Sequence, residues 1–143
     1  NWGLFMIGIL IITHGDMAKG IESSVDLIVG KQEQFSTIGL YEGEDFEKFK
    51  LKVKDTVEEL NTGDGVIILV DLFGASPYNS VAYNITNFYE KKIPIRLITG
   101  VNLPMVIEVL TSRATISSIN DLYHIALDSG RDGIKEALEE LGL

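Results

Sequence analysis

An α/β fold, with a doubly wound, mainly parallel sheet in the order 2-1-3-4 and helices on both faces, is predicted by three features of this sequence. Two apolar runs, residues 6–12 and 66–70, are continuous rather than alternating, and each ends abruptly in a polar residue: Thr13-His14-Gly15 after the first, Asp71 after the second. Such runs, rich in Ile and Val, are strands buried on both faces. Between and beyond them apolar residues recur at helical spacing, so that strand and helix alternate, and four βα units imply right-handed crossovers in one parallel sheet.

The elements follow in order. Residues 16–29 carry Met17, Ile21, Val25 and Ile28 at helical spacing, with Gly30 as the stop. Residues 34–41 form a shorter, more polar strand, placed nearer an edge. Glu42-Gly43-Glu44-Asp45 is a turn whose acids suit a helix start. Phe46, Phe49, Val53, Val57 and Leu60 mark the buried stripe of the next helix. Residues 61–65 form a turn cluster and 66–70 the third strand. In the loop that follows, Ser76 suits an N-cap and Pro77 the first helical position; the helix runs to about Tyr89 and buries Val81, Ile85 and Phe88. Residues 93–99 are the fourth strand, and residues 100–104 lead into a short helix through Leu110. Residues 114–116 are ambiguous. Ser118 caps a helix bearing Leu122, Ile125 and Ala126; Ser129-Gly130 interrupts it, and Ile134, Leu138 and Leu141 resume helical spacing.

The chain has 143 residues, room for one sizeable core, and residues 6–143 read as a single domain. Residues 1–5 read as an added leader ahead of a natural start at Met6. The net charge of −9 argues against nucleic acid, whose phosphates need a basic footprint, and for a basic protein partner. The absence of Cys removes disulfides, thiolate metal sites and cysteine nucleophiles. No apolar run is long enough to span a bilayer and no basic leader precedes the first one; the lack of Cys is compatible with cytoplasm.

In an open parallel sheet, ligands react at the carboxyl ends of the strands, at the point where strand order reverses. With the order 2-1-3-4, His14 and Asp71 meet there. His14 also stands before a helix N-terminus, where free amides attract anions. Asp71 can accept the Nδ1–H of His14 and leave the lone pair on Nε2. Gly15, Gly74, Ala75 and Ser76 supply amides and a hydroxyl for a phosphate cradle. The loop lacks the Lys of a Walker sequence, and a single Asp71 is too little for Mg²⁺. No metal or cofactor is therefore expected. Ser76 as a nucleophile with His14 as its base stays open, and His124, within an amphipathic segment, reads as structural.

Three motifs, residues 12–15 (Ile-Thr-His-Gly), 69–79 (Leu-Val-Asp-Leu-Phe-Gly-Ala-Ser-Pro-Tyr-Asn) and 100–105 (Gly-Val-Asn-Leu-Pro-Met), stand in order along the chain. Together they resemble the IIA component of the mannose-type (mannose/fructose/sorbose) sugar phosphotransferase system. The resemblance implies a cytoplasmic phosphocarrier without cofactor. His14 takes a phosphoryl group on Nε2 from the phosphocarrier protein HPr and passes it to a histidine of the IIB component, which phosphorylates sugar entering through a membrane permease. It makes Asp71 the carboxylate partner of His14 and Ser76 a phosphate contact, with Thr13 and Asn102 in support. It also implies a homodimer, and some members exchange an antiparallel edge strand near the C-terminus, where this sequence shows helical spacing instead. Leu72 and Ala75 depart from the family, which commonly has a small or polar residue and a second Gly there. Two alternatives share the histidine chemistry: the IIA-type domain of the dihydroxyacetone kinase phosphotransferase, and a sensor module regulated by phosphorylation.

Overall fold

The computed structural model describes residues 6–143, and the leader read at residues 1–5 lies outside the described residues. β1 (Gly8–His14) lies inside a four-stranded sheet, between β2 (Phe35–Leu40) and β3 (Val66–Val70), with β4 (Ile95–Ile98) beyond β3. All three pairings are parallel, and the order is the expected 2-1-3-4. Successive side chains of a strand point to opposite faces, and the two central strands feed two separate cores. Ile9, Ile11, Ile67 and Leu69 face a cluster completed by α1 (Met17–Val29), α5 (Leu103–Ser112) and α6 (Ile119–Asp132). Leu10, Ile12, Ile68 and Val70 face a second, completed by α2 (Phe46–Leu60), α3 (Ser76–Ala82) and α4 (Ile85–Glu90). That division is why the two runs lack polar alternation: neither face meets water.

The sheet is closed at its amino-terminal end by a buried cation. Arg113, 5% exposed, follows α5 and donates from Nη1 to the carbonyls of Ile7 and Gln34, both at 2.9 Å, and from Nη2 to that of Glu33. Burial lowers its pKa to about 10, against the opposing pull of Glu33. The guanidinium fork thus satisfies three main-chain oxygens where β1 and β2 begin.

The turn before β3 depends on Gly65. Its φ is +94°, and a Cβ there would lie 2.4 Å from the Pro94 carbonyl oxygen, which accepts the Val66 amide at 3.0 Å. Gly65→Ala therefore combines a left-handed backbone with a main-chain clash. It should cost roughly 2 kcal/mol or more. Urea unfolding checks this, and an unchanged midpoint would contradict it.

Three details depart from the sequence expectations, and a fourth decides between two of them. The helix expected to run to Tyr89 breaks at Tyr83–Asn84 into α3 and α4, because the Asn84 side chain bonds the Ser80 and Lys50 carbonyls and competes with the helical ladder. Ile85, expected in the core, is consequently exposed. Ser129-Gly130 does not interrupt α6. Gly130 is buried there because α5 comes so close that a Cβ would meet Met105 Cε at 2.7 Å. Finally, the antiparallel edge strand that some family members carry does not form among the described residues: Ala137–Leu141 is a short helix, α7, in keeping with the helical spacing, and its Leu138 and Leu141 are exposed.

Candidate active site

The parallel register sets His14 opposite Leu40 of β2, two residues beyond the last β1–β3 pair, Ile12 with Val70. β3 stops at Val70, so the next residue, Asp71, turns in at the end of β1. One carboxylate oxygen, Oδ2, accepts both the main-chain N–H of His14 at 2.8 Å and its ring Nδ1–H at 2.7 Å. Oδ1 accepts the Leu72 amide at 2.9 Å. Burial alone would push the Asp71 carboxyl up, but the bonds from the His14 amide and ring and from the Leu72 amide, with the His14 charge, outweigh it and hold Asp71 below its ordinary value. Asp71 is thus an ionised acceptor. Nδ1 must carry the proton, which leaves the lone pair on Nε2. The imidazole side chain is 49% exposed and that of Asp71 11%, so the ring is open to a partner while its carboxylate is shielded behind it.

The chain leaves β1 through a turn secured on three sides. Gly15 has φ +54°, a conformation that favours glycine, and its amide bonds the Leu40 carbonyl at 2.8 Å. Thr13, fully buried, accepts the Ala18 amide on Oγ1 at 2.8 Å and donates to the His14 carbonyl at 3.1 Å. It therefore ties the first turn of α1 to the strand without touching the ring. The Tyr41 hydroxyl donates to Asp16 Oδ1 at 2.6 Å. Nothing in the sequence pattern announced that last contact, because it depends on the pairing register, which sets Tyr41 just past the end of β1.

Across the cleft, Leu72, Phe73 and Gly74 are exposed, and the Phe73 ring packs on that of Tyr78 at a tilt of 44°, with centroids 4.7 Å apart. Ser76 is the first residue of α3 rather than its N-cap; the cap is Ala75, in extended conformation, with Pro77 behind it. The reason is Asn79, whose side chain bonds the Gly74 carbonyl at 3.1 Å while its amide bonds that of Ala75, closing the turn one residue early. Among the described residues the amides of Gly74, Ala75 and Ser76 have no protein acceptor, nor have those of Asp16 and Met17. Asn102 caps α5 by accepting the Met105 amide and donates to the Gly130 carbonyl. Its amide is engaged between α5 and α6, with no bond to His14. His124 lies exposed on α6 against Tyr123.

A concavity of about 660 Å³ runs from Phe73 and Asn102 along the outer side of β4, where Ile98, Thr99, Tyr123 and Ile134 help to line it. Among the described residues no group of three His, Asp or Glu side chains could hold a metal ion. No helix there is long and apolar enough to cross a membrane.

Residues 8–126 match the model of the family described as the fructose IIA component of the PTS system. The chain is 33% identical over 129 residues to the mannose-specific EIIAB component of Escherichia coli K12, covering 90% of this chain and 39% of that one. It is 30% identical to the fructose-specific EIIA component of Bacillus subtilis, over 83% of this chain and 78% of the relative. The crystal structure of phosphotransferase system component EIIA from Streptococcus agalactiae superposes with a TM-score of 0.82 at 29% identity, covering 92% and 97% of the two chains. The chain therefore spans about two fifths of the EIIAB relative and most of the EIIA ones.

Proposed function

The chain belongs to the PTS fructose IIA component family, and from that premise we propose that it is a phosphoryl carrier in sugar uptake, with His14 as the acceptor. The observation that carries this reading is the pair of hydrogen bonds that Asp71 Oδ2 accepts from the amide and the ring of His14, which aims Nε2 outward as a nucleophile. The dihydroxyacetone kinase and sensor alternatives are not favoured, since the relatives are sugar-system components.

The Nε2 lone pair attacks the phosphorus of phospho-HPr. The new N–P bond forms as the donor's N–P bond breaks, and that electron pair returns to the donor ring. Transfer onward to a IIB histidine is the same step with His14 as leaving group. The transition state is loose and in line, so the protein chiefly positions groups and stabilises charge. The Nδ1 proton need not leave: the ring gains positive charge on phosphorylation, and the Asp71 carboxylate offsets it. The unpaired amides after Gly15 and around Ser76 suit the three equatorial oxygens. Leu72 and Phe73 at the rim suit exclusion of water, which would otherwise hydrolyse the phosphoimidazole. The acidic chain suits fast, transient docking of basic partners, in the cytoplasm. Incubation with phospho-HPr and mass-spectrometric mapping tests this: the phosphoryl group is expected on His14, and its mapping to another residue would refute the assignment.

A homodimer belongs to the same reading. Two features support it: β4 is paired on one side only among the described residues, and Ile134, which helps to line its groove, is exposed, as are Leu138 and Leu141 of the segment that follows. An open edge with apolar cover at hand is what a second copy would close. Ile134→Asp should shift the protein to monomer in sedimentation velocity, and an unchanged dimer would count against this interface.

A further inference from the structure

The residue that follows the acceptor turn is an acid. Asp16 sits at the N-cap of α1, where an aspartate ordinarily accepts an amide of its own helix, yet its side chain makes no such bond. Its Oδ1 accepts the Tyr41 hydroxyl at 2.6 Å instead. The end of β2 is shaped to allow this. The Tyr41 ring folds back over Gly39, where a Cβ would lie 3.0 Å from the ring and 2.4 Å from the Gly15 carbonyl oxygen. The Tyr41 amide is held in turn by Glu44 Oε2 at 2.7 Å, so the second acid in reach of Tyr41 is also occupied. The Tyr41 hydroxyl is held in its protonated, donating form, its pKa raised first by the bond to Asp16 and then by burial and the charges of Asp16 and Glu44.

We propose that Tyr41 is a positioning residue for phosphoryl transfer: its hydroxyl holds the Asp16 carboxylate against β2, and so keeps a negative charge two residues from His14 out of the path of the incoming phosphoryl group. This rests on His14 being the acceptor. A carboxylate released beside the cleft would repel a phosphoryl dianion, and that repulsion is long-range and screened by salt. A Tyr41 that merely stiffened the turn would act equally at every ionic strength and regardless of the charge on Asp16.

The test uses the intact chain and the rate of labelling by phospho-HPr. Tyr41→Phe keeps the ring over Gly39 and removes only the hydroxyl. It should slow labelling about fivefold at low salt, with the deficit shrinking in 0.5 M salt, roughly the scale of one charge acting on a dianion across the mouth of a cleft. Asp16→Asn keeps the main-chain amide and an acceptor for the hydroxyl but removes the charge, so that losing the Tyr41 hydroxyl should no longer slow labelling. The double variant Y41F/D16N should label at the rate of D16N. Equal rates for Y41F and parent, or a double variant slower than D16N, would overturn the proposal. A parent chain that takes up no phosphate at His14 would instead overturn the carrier reading beneath it. Thermal unfolding of each variant separates slow transfer from loss of fold.

Discussion

His14→Ala is expected to take up no acid-labile phosphate from phospho-HPr, while unfolding at close to the parent temperature. The imidazole is half-exposed at the end of its strand, so truncating it opens no cavity in either core. The main-chain N–H of residue 14 survives the substitution and can still donate to Asp71 Oδ2, so the carboxylate is not orphaned. The loss of acceptor should be complete, because the other histidine, His124, stands on α6 against Tyr123, away from Asp71 and the strand ends. Phosphate retained in this variant but stable to acid would point to an ester, and Ser76 would then be the group to examine. Acid-labile phosphate retained at the parent rate would remove His14 from the mechanism.

Asp71→Asn should slow phosphoryl uptake on the order of 10²-fold, the scale on which tautomer and orientation of a catalytic imidazole matter. Asp71 accepts three N–H groups through two oxygens: the His14 amide, the His14 ring and the Leu72 amide. An amide side chain has one acceptor oxygen, so at least one of those donors would face an N–H₂. Either the ring loses the bond that fixes its tautomer or the strand end loses its anchor, and in both cases the cationic phosphoimidazole loses its counter-charge. Stability should respond to pH in a defined sense. Because the folded-state pKa of Asp71 lies below its ordinary value of 3.8, the stability it contributes is fully present above that value and is lost as pH falls through the depressed native one. The gap in denaturation midpoint between parent and Asp71→Asn should therefore narrow in acid. A gap independent of pH would mean that the carboxylate charge is not what the fold uses.

Much of this arrangement was legible before any coordinates. The two unbroken apolar runs identified the central strands, and their terminal residues, His14 and Asp71, were adjacent once strand order was set. What was not legible turned on contacts between elements. Gly130 reads as a helix breaker in one dimension, yet in three it is the point where α5 and α6 touch. The helical spacing of Val81, Ile85 and Phe88 concealed the break at Asn84, since nothing local says that a side-chain amide will bond the Lys50 carbonyl of another helix. Ser76 has the composition of a cap, but Asn79 decides where the turn closes. The pairing of Tyr41 with Asp16 follows from the register of two strands, a quantity that no single segment encodes.

The Arg113 clamp has a consequence for the order of events in biosynthesis. It joins a guanidinium to the Ile7 carbonyl across a separation of 106 residues, whereas His14 and Asp71 lie 57 apart. A nascent chain emerging from the ribosome thus exposes His14 and Asp71 well before the residue that locks the root of the central strand has been translated. Closing so long a loop is entropically slow, and the root of β1 is locked only once Arg113 has been translated.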